Sequence, residues 1–200
     1  MTGIEKIENV FRLHIKNNES VEVDQLVLTT GGQAYRHTGS SGDGYAFAES
    51  LGHTITPLAP SLNSFFTKEV WPAELSGRSF ERATISATTT DKKTHRYTGP
   101  FLFTHKGVSG PAIFAVSSMV AFEGYDQATP LAINIDLFPD MKHETLEERM
   151  QKLFQTELKR SVVNVLDHLL PKILAQRACE EIQLETTKHA AEVSKKQITD

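Results

Sequence analysis

The sequence predicts an α+β fold built from three consecutive segments. Over residues 1–52, short alternating apolar runs and a cluster of glycines predict strands followed by a glycine-rich loop. Residues 53–140 are rich in β-branched residues and punctuated by prolines, which predicts a β-rich, barrel-like domain. Residues 141–200 carry apolar residues at helical spacing, which predicts a helical subdomain. The length of 200 residues is enough to bury a hydrophobic core.

Strands dominate the start of the first segment. Apolar residues alternate over residues 10–15 and again over 21–23, and a turn at residues 17–19 joins the two runs. The apolar, β-branched run at residues 26–30 leads directly into glycines. This pattern predicts a buried parallel strand.

A glycine-rich loop follows this run, because five of the 12 glycines lie between Gly31 and Gly44. Asp43 predicts the N-cap of a short helix over residues 44–51, which Gly52 ends. A strand that ends in Thr-Thr-Gly-Gly places backbone amides at the carboxyl edge of a sheet, where open α/β sheets bind ligands. The helix N-terminus beyond the loop favours an anionic or electron-rich group. Alternatively, the glycines serve only tight turns and Asp43 serves only as a cap.

The middle segment predicts further strands at residues 83–89 and 131–137. A hairpin turn at residues 91–93 returns the chain through residues 95–103. One helix is predicted near residues 112–120.

The last segment predicts three helices. Thr145 with Glu148 matches a capping box at the start of the first. Its apolar face is predicted from spacings of three and four residues, at Leu146, Met150, Leu153, Phe154 and Leu158. The other two helices are predicted over residues 162–170, where a proline ends the helix, and over 173–184. The polar tail from Thr186 is predicted to be frayed.

Composition and charge exclude several classes of protein. The chain is 39% hydrophobic and 23% charged, as is typical of globular proteins. A net charge of −4 predicts no nucleic-acid partner. No apolar run approaches the roughly 20 residues that cross a bilayer, and no secretory signal is visible, so no membrane partner is expected. The single cysteine, Cys179, is predicted to be a buried structural thiol and suits a cytoplasmic location.

A second candidate site lies in residues 101–111, Phe-Leu-Phe-Thr-His-Lys-Gly-Val-Ser-Gly-Pro. The pattern predicts a strand that turns through two glycines into a helix beginning at Pro111. His105 could exchange a proton near neutral pH, and Ser109 could contact a ligand. The alternative is a strand–turn–helix junction with a surface histidine. No histidine spacing is typical of a metal site, so none is predicted.

Taken in order, these motifs resemble the BaiN/YhiN-like predicted flavoproteins, which are bacterial NAD(P)/FAD-dependent oxidoreductases. The resemblance rests on residues 28–32 with 38–45, on residues 101–111, and on Ile135–Asp140, and it covers most of the chain. It implies that residues 1–52 form the edge of a Rossmann-like FAD domain. The remainder is then a barrel-like and helical insert that covers the flavin.

The same resemblance implies roles for individual residues. Its FAD-contacting residues all lie in the glycine-rich loop: Thr30, Gly31, Gly32, Gly42, Asp43 and Gly44. His105 and Ser109 would face the substrate, with His105 a candidate proton donor. FAD would carry hydride to or from a small-molecule substrate, and NAD(P)H is the candidate reductant. Arg36–His37 departs from the family's pattern of proline followed by a basic residue, so its role stays open.

The family's opening strand and Gly-x-Gly-x-x-Gly turn have no counterpart in these 200 residues, nor has its closing FAD-domain segment. The chain is therefore expected to be an internal fragment whose partner is the remainder of the FAD domain. By itself it is expected to bind FAD weakly or not at all, and to be inactive. The alternative hypothesis is a non-catalytic, β-rich binding or interaction module.

Overall fold

The computed structural model describes residues 1–199 and confirms a mixed α+β fold. The chain divides into two compact units, Met1–Leu58 and the residues from Ala59 onward. The subdivision predicted at residues 52 and 140 remains a prediction. None of the helices within residues 1–199 has the length and apolar character needed to cross a lipid bilayer.

The first unit contains a three-stranded antiparallel sheet and one helix. Strands β1 (Gly3–Ile7), β2 (Val10–His14) and β3 (Ser20–Val23) pair in sequence order. The turn between β2 and β3 places Asn17 in the left-handed region, with φ of 73°, which asparagine tolerates well. Helix α1 spans Asp43–Ser50. The alternating pattern therefore predicted β2 and β3 correctly.

The buried parallel strand predicted over residues 26–30 is wrong for this structure. These residues form no regular element, and the Val27 side chain is 80% exposed. β-branched residues favour a strand only where neighbouring strands accept their backbone hydrogen bonds and cover their side chains. None of the described strands pairs with this segment.

The second unit begins with a five-stranded antiparallel sheet in the order β4-β7-β6-β5-β8, curled into a half-barrel. Its strands are β4 (Phe65–Phe66), β5 (Ser79–Thr88), β6 (Thr94–Thr104), β7 (Gly107–Ser109) and β8 (Ile133–Asp136). Helix α2 (Pro111–Met119) packs on the inner face. The core between them consists of fully buried side chains, which include Ala83, Ile85, Phe101, Ile113 and Val116. The strands and the helix predicted for this region are confirmed.

The helices that follow the sheet enclose a second cluster of buried apolar residues. These helices are α3 (His143–Thr156), α4 (Val162–Leu166), α5 (Lys172–Glu181) and α6 (Lys195–Thr199). The buried residues of this cluster include Phe154, Val162, Val165, Ala175 and Cys179. Cys179 is 1% exposed, and burial raises the pKa of its thiol. The predicted burial of this cysteine is confirmed.

Several local predictions for the helices are wrong. Helix α3 begins at His143, so Thr145 lies inside its first turn and caps nothing. Leu158 lies beyond the end of α3 and is 50% exposed. The second helix ends at Leu166, where the chain turns before reaching the proline. Within the described residues up to 199, Ala190 of the tail predicted to be frayed is buried in the apolar cluster of the helices.

A carboxylate just after α3 is expected to make the helical subdomain sensitive to acid. Glu157 accepts a hydrogen bond of 2.8 Å from Arg160, and its other oxygen lies 2.9 Å from His168 Nε2. The Arg160 bond lowers the pKa of Glu157, against an opposing effect of desolvation. Because the folded pKa is the lower one, this stabilisation is complete above the unfolded pKa of about 4.3. It is lost as the pH falls through the folded pKa.

Glu157→Gln is therefore expected to lower the melting temperature at neutral pH but not near pH 2. The measurement is thermal unfolding followed by circular dichroism at both pH values. Glu148→Gln is the control, because Glu148 is exposed on α3 and forms no ion pair among the described residues. A decrease in melting temperature for Glu157→Gln that is equal at both pH values would contradict the stabilising role of the ionised carboxylate.

Candidate functional site

The glycine-rich loop of the first unit folds back on itself and brings its two arms into contact. A Cβ added to Gly44 would overlap the hydroxyl of Thr30, and one added to Gly42 would lie 2.7 Å from the Gln33 side chain. A Cβ added to Gly31 would likewise lie 3.1 Å from the hydroxyl of Ser40. The structure thus places the segment beginning at Thr30 beside the start of α1. The predicted cofactor-binding residues are brought together: Thr30, Gly31, Gly32, Gly42, Asp43 and Gly44.

This cluster exposes unpaired backbone donors. Among the described residues, no group accepts a hydrogen bond from the amides of Gly31, Gly32, Asp43 or Gly44. Unpaired amides at a helix start attract electron-rich oxygens or nitrogens. FAD presents such atoms in its pyrophosphate and along the edge of its ring. The donor set therefore fits one edge of that cofactor.

Asp43 has a different role from the predicted one. Helix α1 begins at Asp43 itself, and Gly42 occupies the cap position with φ of 88°. A left-handed cap residue is strained for any side chain, so glycine is required here. The carboxylate of Asp43 instead lies in the first helical turn, where it interacts favourably with the helix dipole. The predicted end of α1 is confirmed, since Gly52 has φ of 88° and donates to the Glu49 carbonyl.

The second candidate segment forms the turn between β6 and β7. His105 and Lys106 are exposed at the tip of this turn. Ser109 pairs across the sheet with Leu102, and its hydroxyl lies 2.7 Å from that of Ser64. Helix α2 then begins at Pro111, as predicted.

The two glycines of this segment have structural roles. Gly107 has φ of 150°, and a Cβ there would overlap the carbonyl oxygen of Phe65. Gly110 has φ of 103°, and a Cβ there would lie 3.0 Å from the Phe101 Cα. Close approach of the backbones therefore accounts for both glycines without a ligand. This close approach does not explain why His105 and Lys106 are exposed at the tip of the turn.

A depression of about 450 Å³ opens beside this turn. Its lining combines exposed apolar side chains with charged ones: Phe66, Thr67, Glu69, Val70, Ala73, His105 and Lys106. His105 thus lies in a concave surface, whereas Ser109 is not among the lining residues. Of these two predicted residues, only His105 lines the depression.

Phe66 and Val70 are site residues that sequence reasoning missed. They are 78% and 85% exposed, although Phe65 beside them is buried. The adjacent phenylalanines lie on a two-residue strand, so their side chains point to opposite faces of the sheet. No pattern in such a short strand indicates which of the two is buried.

No metal centre is found in the part of the chain that the structure describes. Within residues 1–199, no three His, Cys, Asp or Glu side chains lie close enough to hold an ion. The two candidate segments belong to different compact units, the glycine-rich loop to the first and the β6–β7 turn to the second.

Comparison with known proteins gives consistent matches. The model of the HI0933-like protein barrel and H2TH domain matches residues 59–200. The chain is 28% identical, over 88% of its length, to the 3-dehydro-bile acid delta(4,6)-reductase of Clostridium scindens, of which it covers 43%. It is 28% identical, over its whole length, to the ribosomal RNA dihydrouridine synthase of Haemophilus influenzae, covering 48% of that protein. The Escherichia coli protein of the same name is 29% identical over 88% of the chain, which covers 40% of it. The chain spans less than half the length of these relatives.

Proposed function

Because this chain belongs to the HI0933-like family, the BaiN/YhiN-type flavoproteins that its motifs resemble, we propose that it is part of an FAD-dependent reductase. The family match over residues 59–200 carries this proposal. The unpaired amides of the glycine-rich loop support it, since they fit an electron-rich cofactor edge. We propose that the remainder of an FAD domain completes the cofactor site, because the chain spans under half of its relatives, at most 48%.

The names of the relatives favour one class of reaction. One relative is named as a delta(4,6)-reductase of a 3-dehydro bile acid, and two are named as synthases of dihydrouridine. Both names describe reduction of a carbon–carbon double bond. In a 3-oxo-4,6-diene and in uracil, that bond is conjugated to a carbonyl group. We therefore infer that this protein reduces a carbon–carbon double bond activated by a neighbouring carbonyl.

Such a reduction needs a hydride on one carbon and a proton on the other. Reduced FAD would supply the hydride if it is bound by the intact protein, and NAD(P)H is the proposed source of its two electrons. The proton must come from an acid within reach of the substrate. His105 is our candidate, because its imidazole is exposed in a concave surface at the end of the barrel. Ser109 lies in β7, where its hydroxyl contacts that of Ser64, and it is proposed to support the substrate side.

The residues proposed to hold the cofactor are Thr30, Gly31, Gly32, Gly42, Asp43 and Gly44. The amides of this loop would donate to the oxygens and nitrogens of the cofactor. The small backbone at Gly42 and Gly44 lets the two arms of the loop close without a side chain between them. The carboxylate of Asp43, at the helix start, would orient the loop rather than contact phosphate.

An absorbance spectrum of the purified full-length gene product tests the cofactor assignment. Visible flavin absorbance bands that bleach on addition of NADPH or NADH are the expected result. The alternative, a non-catalytic binding module, predicts a protein that stays colourless after FAD is added. That outcome would overturn the proposed function. The 200-residue chain alone is expected to remain without stoichiometric flavin.

His105→Gln is expected to slow turnover without changing flavin content. Loss of a general acid typically costs about 10²–10⁴-fold in rate. The measurement is reoxidation of the reduced flavin by a uridine-containing RNA and by a 4,6-dien-3-one steroid, as a function of pH. His143→Gln is the control, because His143 is exposed at the start of α3. An unchanged rate and pH profile for His105→Gln would remove His105 from the mechanism.

A further inference from the structure

A single 3₁₀ turn, Arg36–Thr38, interrupts the glycine-rich loop and carries two basic side chains. Tyr35, directly before the turn, has the left-handed conformation with φ of 55°. Its carbonyl oxygen accepts hydrogen bonds from the Thr38 amide at 2.8 Å and from the Thr38 hydroxyl at 2.7 Å. Residues in this strained conformation persist only where their surroundings fix them, and they cluster at ligand-binding sites. Thr38 thus fixes the backbone that presents Arg36 and His37.

Each of the two basic side chains also has a neighbour that positions it. Arg36 Nη2 lies 3.5 Å from Gln33 Oε1, at the outer limit of a hydrogen bond. The Gln33 side chain in turn lies 2.7 Å from the position of a Cβ on Gly42, the cap residue of α1. The His37 ring contacts the Tyr35 ring edge-on, with 6.0 Å between the ring centres. The guanidinium is therefore held beside the glycine-rich loop by a weak contact that leaves its other donors available.

The positive charge of this turn is not neutralised by a neighbouring carboxylate. Among residues 1–199, neither Arg36 nor His37 forms an ion pair. Residues 25–48 contain a single carboxylate, that of Asp43. A guanidinium presents a planar fork of N–H donors, and an imidazole donates from one ring nitrogen even when it is neutral. These donors suit an anion with several oxygens, above all a phosphate.

Exposure indicates which phosphate would bind here. Tyr35 is 76% exposed, and Arg36 and His37 are exposed as well. An open surface suits a ligand that arrives and leaves in each turnover better than a cofactor that stays bound. In the proposed reaction, the nicotinamide nucleotide is such a ligand. NADPH differs from NADH only in a 2′-phosphate, a monoester that carries nearly two negative charges at neutral pH. Arginine is the side chain that accommodates this phosphate in dinucleotide-binding folds.

We propose that Arg36 and His37 bind the 2′-phosphate of NADPH and thereby make this protein prefer NADPH to NADH. The assignment rests on the proposed function, because a nucleotide reductant is needed only if a flavin binds at the glycine-rich loop. Arg36 supplies the larger share of the preference, since its fork donates two parallel hydrogen bonds to one phosphate. His37 adds one further donor. Because the turn is exposed, salt screens both contacts and lowers the preference.

Isothermal titration calorimetry of the purified full-length gene product tests the site. The ligands are adenosine 2′,5′-bisphosphate and adenosine 5′-monophosphate, which differ only in the 2′-phosphate. The bisphosphate is expected to bind about 10- to 100-fold more tightly, as one or two hydrogen bonds between charged groups provide. Arg36→Gln is expected to remove most of this preference. His37→Gln is expected to reduce it by about 3- to 10-fold, as loss of one hydrogen bond would.

Two further variants make the test specific. Arg36→Lys keeps the charge but loses the planar fork, so its preference is expected to lie between those of the wild-type protein and Arg36→Gln. Arg78→Gln is the matched control, because Arg78 is exposed, forms no ion pair among the described residues and belongs to the other compact unit. Its preference for the bisphosphate should equal that of the wild-type protein.

Several outcomes would overturn the proposal. They are equal affinities of the wild-type protein for the two ligands, a preference that survives Arg36→Gln, and an equal loss in Arg78→Gln. If Arg36→Gln weakened both ligands equally, the guanidinium would contact a phosphate that NADH also carries. Loss of bound flavin from Arg36→Gln would assign the guanidinium to FAD instead.

The titration measures binding without hydride transfer, so its result is independent of the spectral test of the proposed function. A yellow protein without the preference would reject the 2′-phosphate site and retain the flavin. A colourless protein that still prefers the bisphosphate would retain the phosphate site and reject the proposed function.

Discussion

We expect Phe101→Ala to lower the free energy of unfolding by about 3–5 kcal/mol. Phe101 is 1% exposed. Its ring stacks on Phe80 at a centroid distance of 5.1 Å and meets Phe103 edge-on at 5.2 Å. Truncation removes both contacts and leaves a cavity that the paired strands cannot close, since packed cores relax only partially. The loss is a large share of the roughly 5–15 kcal/mol that stabilises a typical domain.

The measurement is urea-induced unfolding followed by tryptophan fluorescence. Trp71 is the only tryptophan, and its ring lies 6.0 Å from that of Phe103, so it reports on the barrel core. Phe66→Ala is the control, because an exposed phenylalanine should change stability by no more than about 0.5 kcal/mol. If the two variants unfolded at the same urea concentration, the inner and outer faces assigned to the half-barrel would be wrong.

The second large effect is expected for Gly107→Ala, which should lower the free energy of unfolding by about 2–4 kcal/mol. The new Cβ would overlap the Phe65 carbonyl oxygen and lie 2.8 Å from the Thr67 amide nitrogen, at a φ of 150°. Backbone atoms cannot rotate away as a side chain can. Strand β4 must therefore separate from β7, which also displaces the turn that carries His105.

Two other glycines distinguish the backbone strain of a positive φ from the steric overlap of the new Cβ as causes of the lost stability. Gly77 has φ of 83° and open space around its absent Cβ, so Gly77→Ala should show strain alone, of about 1 kcal/mol. Gly124 has neither a positive φ nor a neighbour within 4 Å, so Gly124→Ala should be close to neutral. The same fluorescence assay applies to all three variants. A cost for Gly107→Ala no greater than for Gly77→Ala would contradict the steric argument.

Much of the barrel was predictable because its strands each have one buried face. The alternation over residues 83–89 matches the burial of Ala83, Ile85 and Ala87 in β5. The glycine and proline that follow the sheet predicted the start of α2 correctly, since Pro111 fits only the first helical turn. These predictions depend on neighbours within a few residues, and local sequence is enough to make them.

The failures share a dependence on partners distant in the sequence. Residues 26–30 have the composition of a buried strand, but a strand forms only beside other strands. Thr145 has the pattern of a cap, yet the chain is already helical from His143. The order in the C-terminal tail depends on Ala190 packing into a core made by earlier helices.

The candidate site likewise combines features that local sequence predicted with features that depend on residues distant in the chain. The turn that carries His105 was predicted from local signals, and so was the cluster of glycines in the first unit. The depression was not, because Phe66, Val70 and Lys106 come from a two-residue strand, a loop and a turn. Only the pairing of β4 with β7 brings them together.

By itself, the sequence determined the family, the α+β class and the positions where the backbone must be glycine or proline. These properties depend on the order of motifs and on the conformations that single residues allow. Tertiary structure alone decided which of two adjacent phenylalanines faces solvent, which apolar segment remains irregular, and which charges surround His105. The physical reason is that burial and pairing are properties of the whole fold, because each requires a surface supplied by residues far away in the chain.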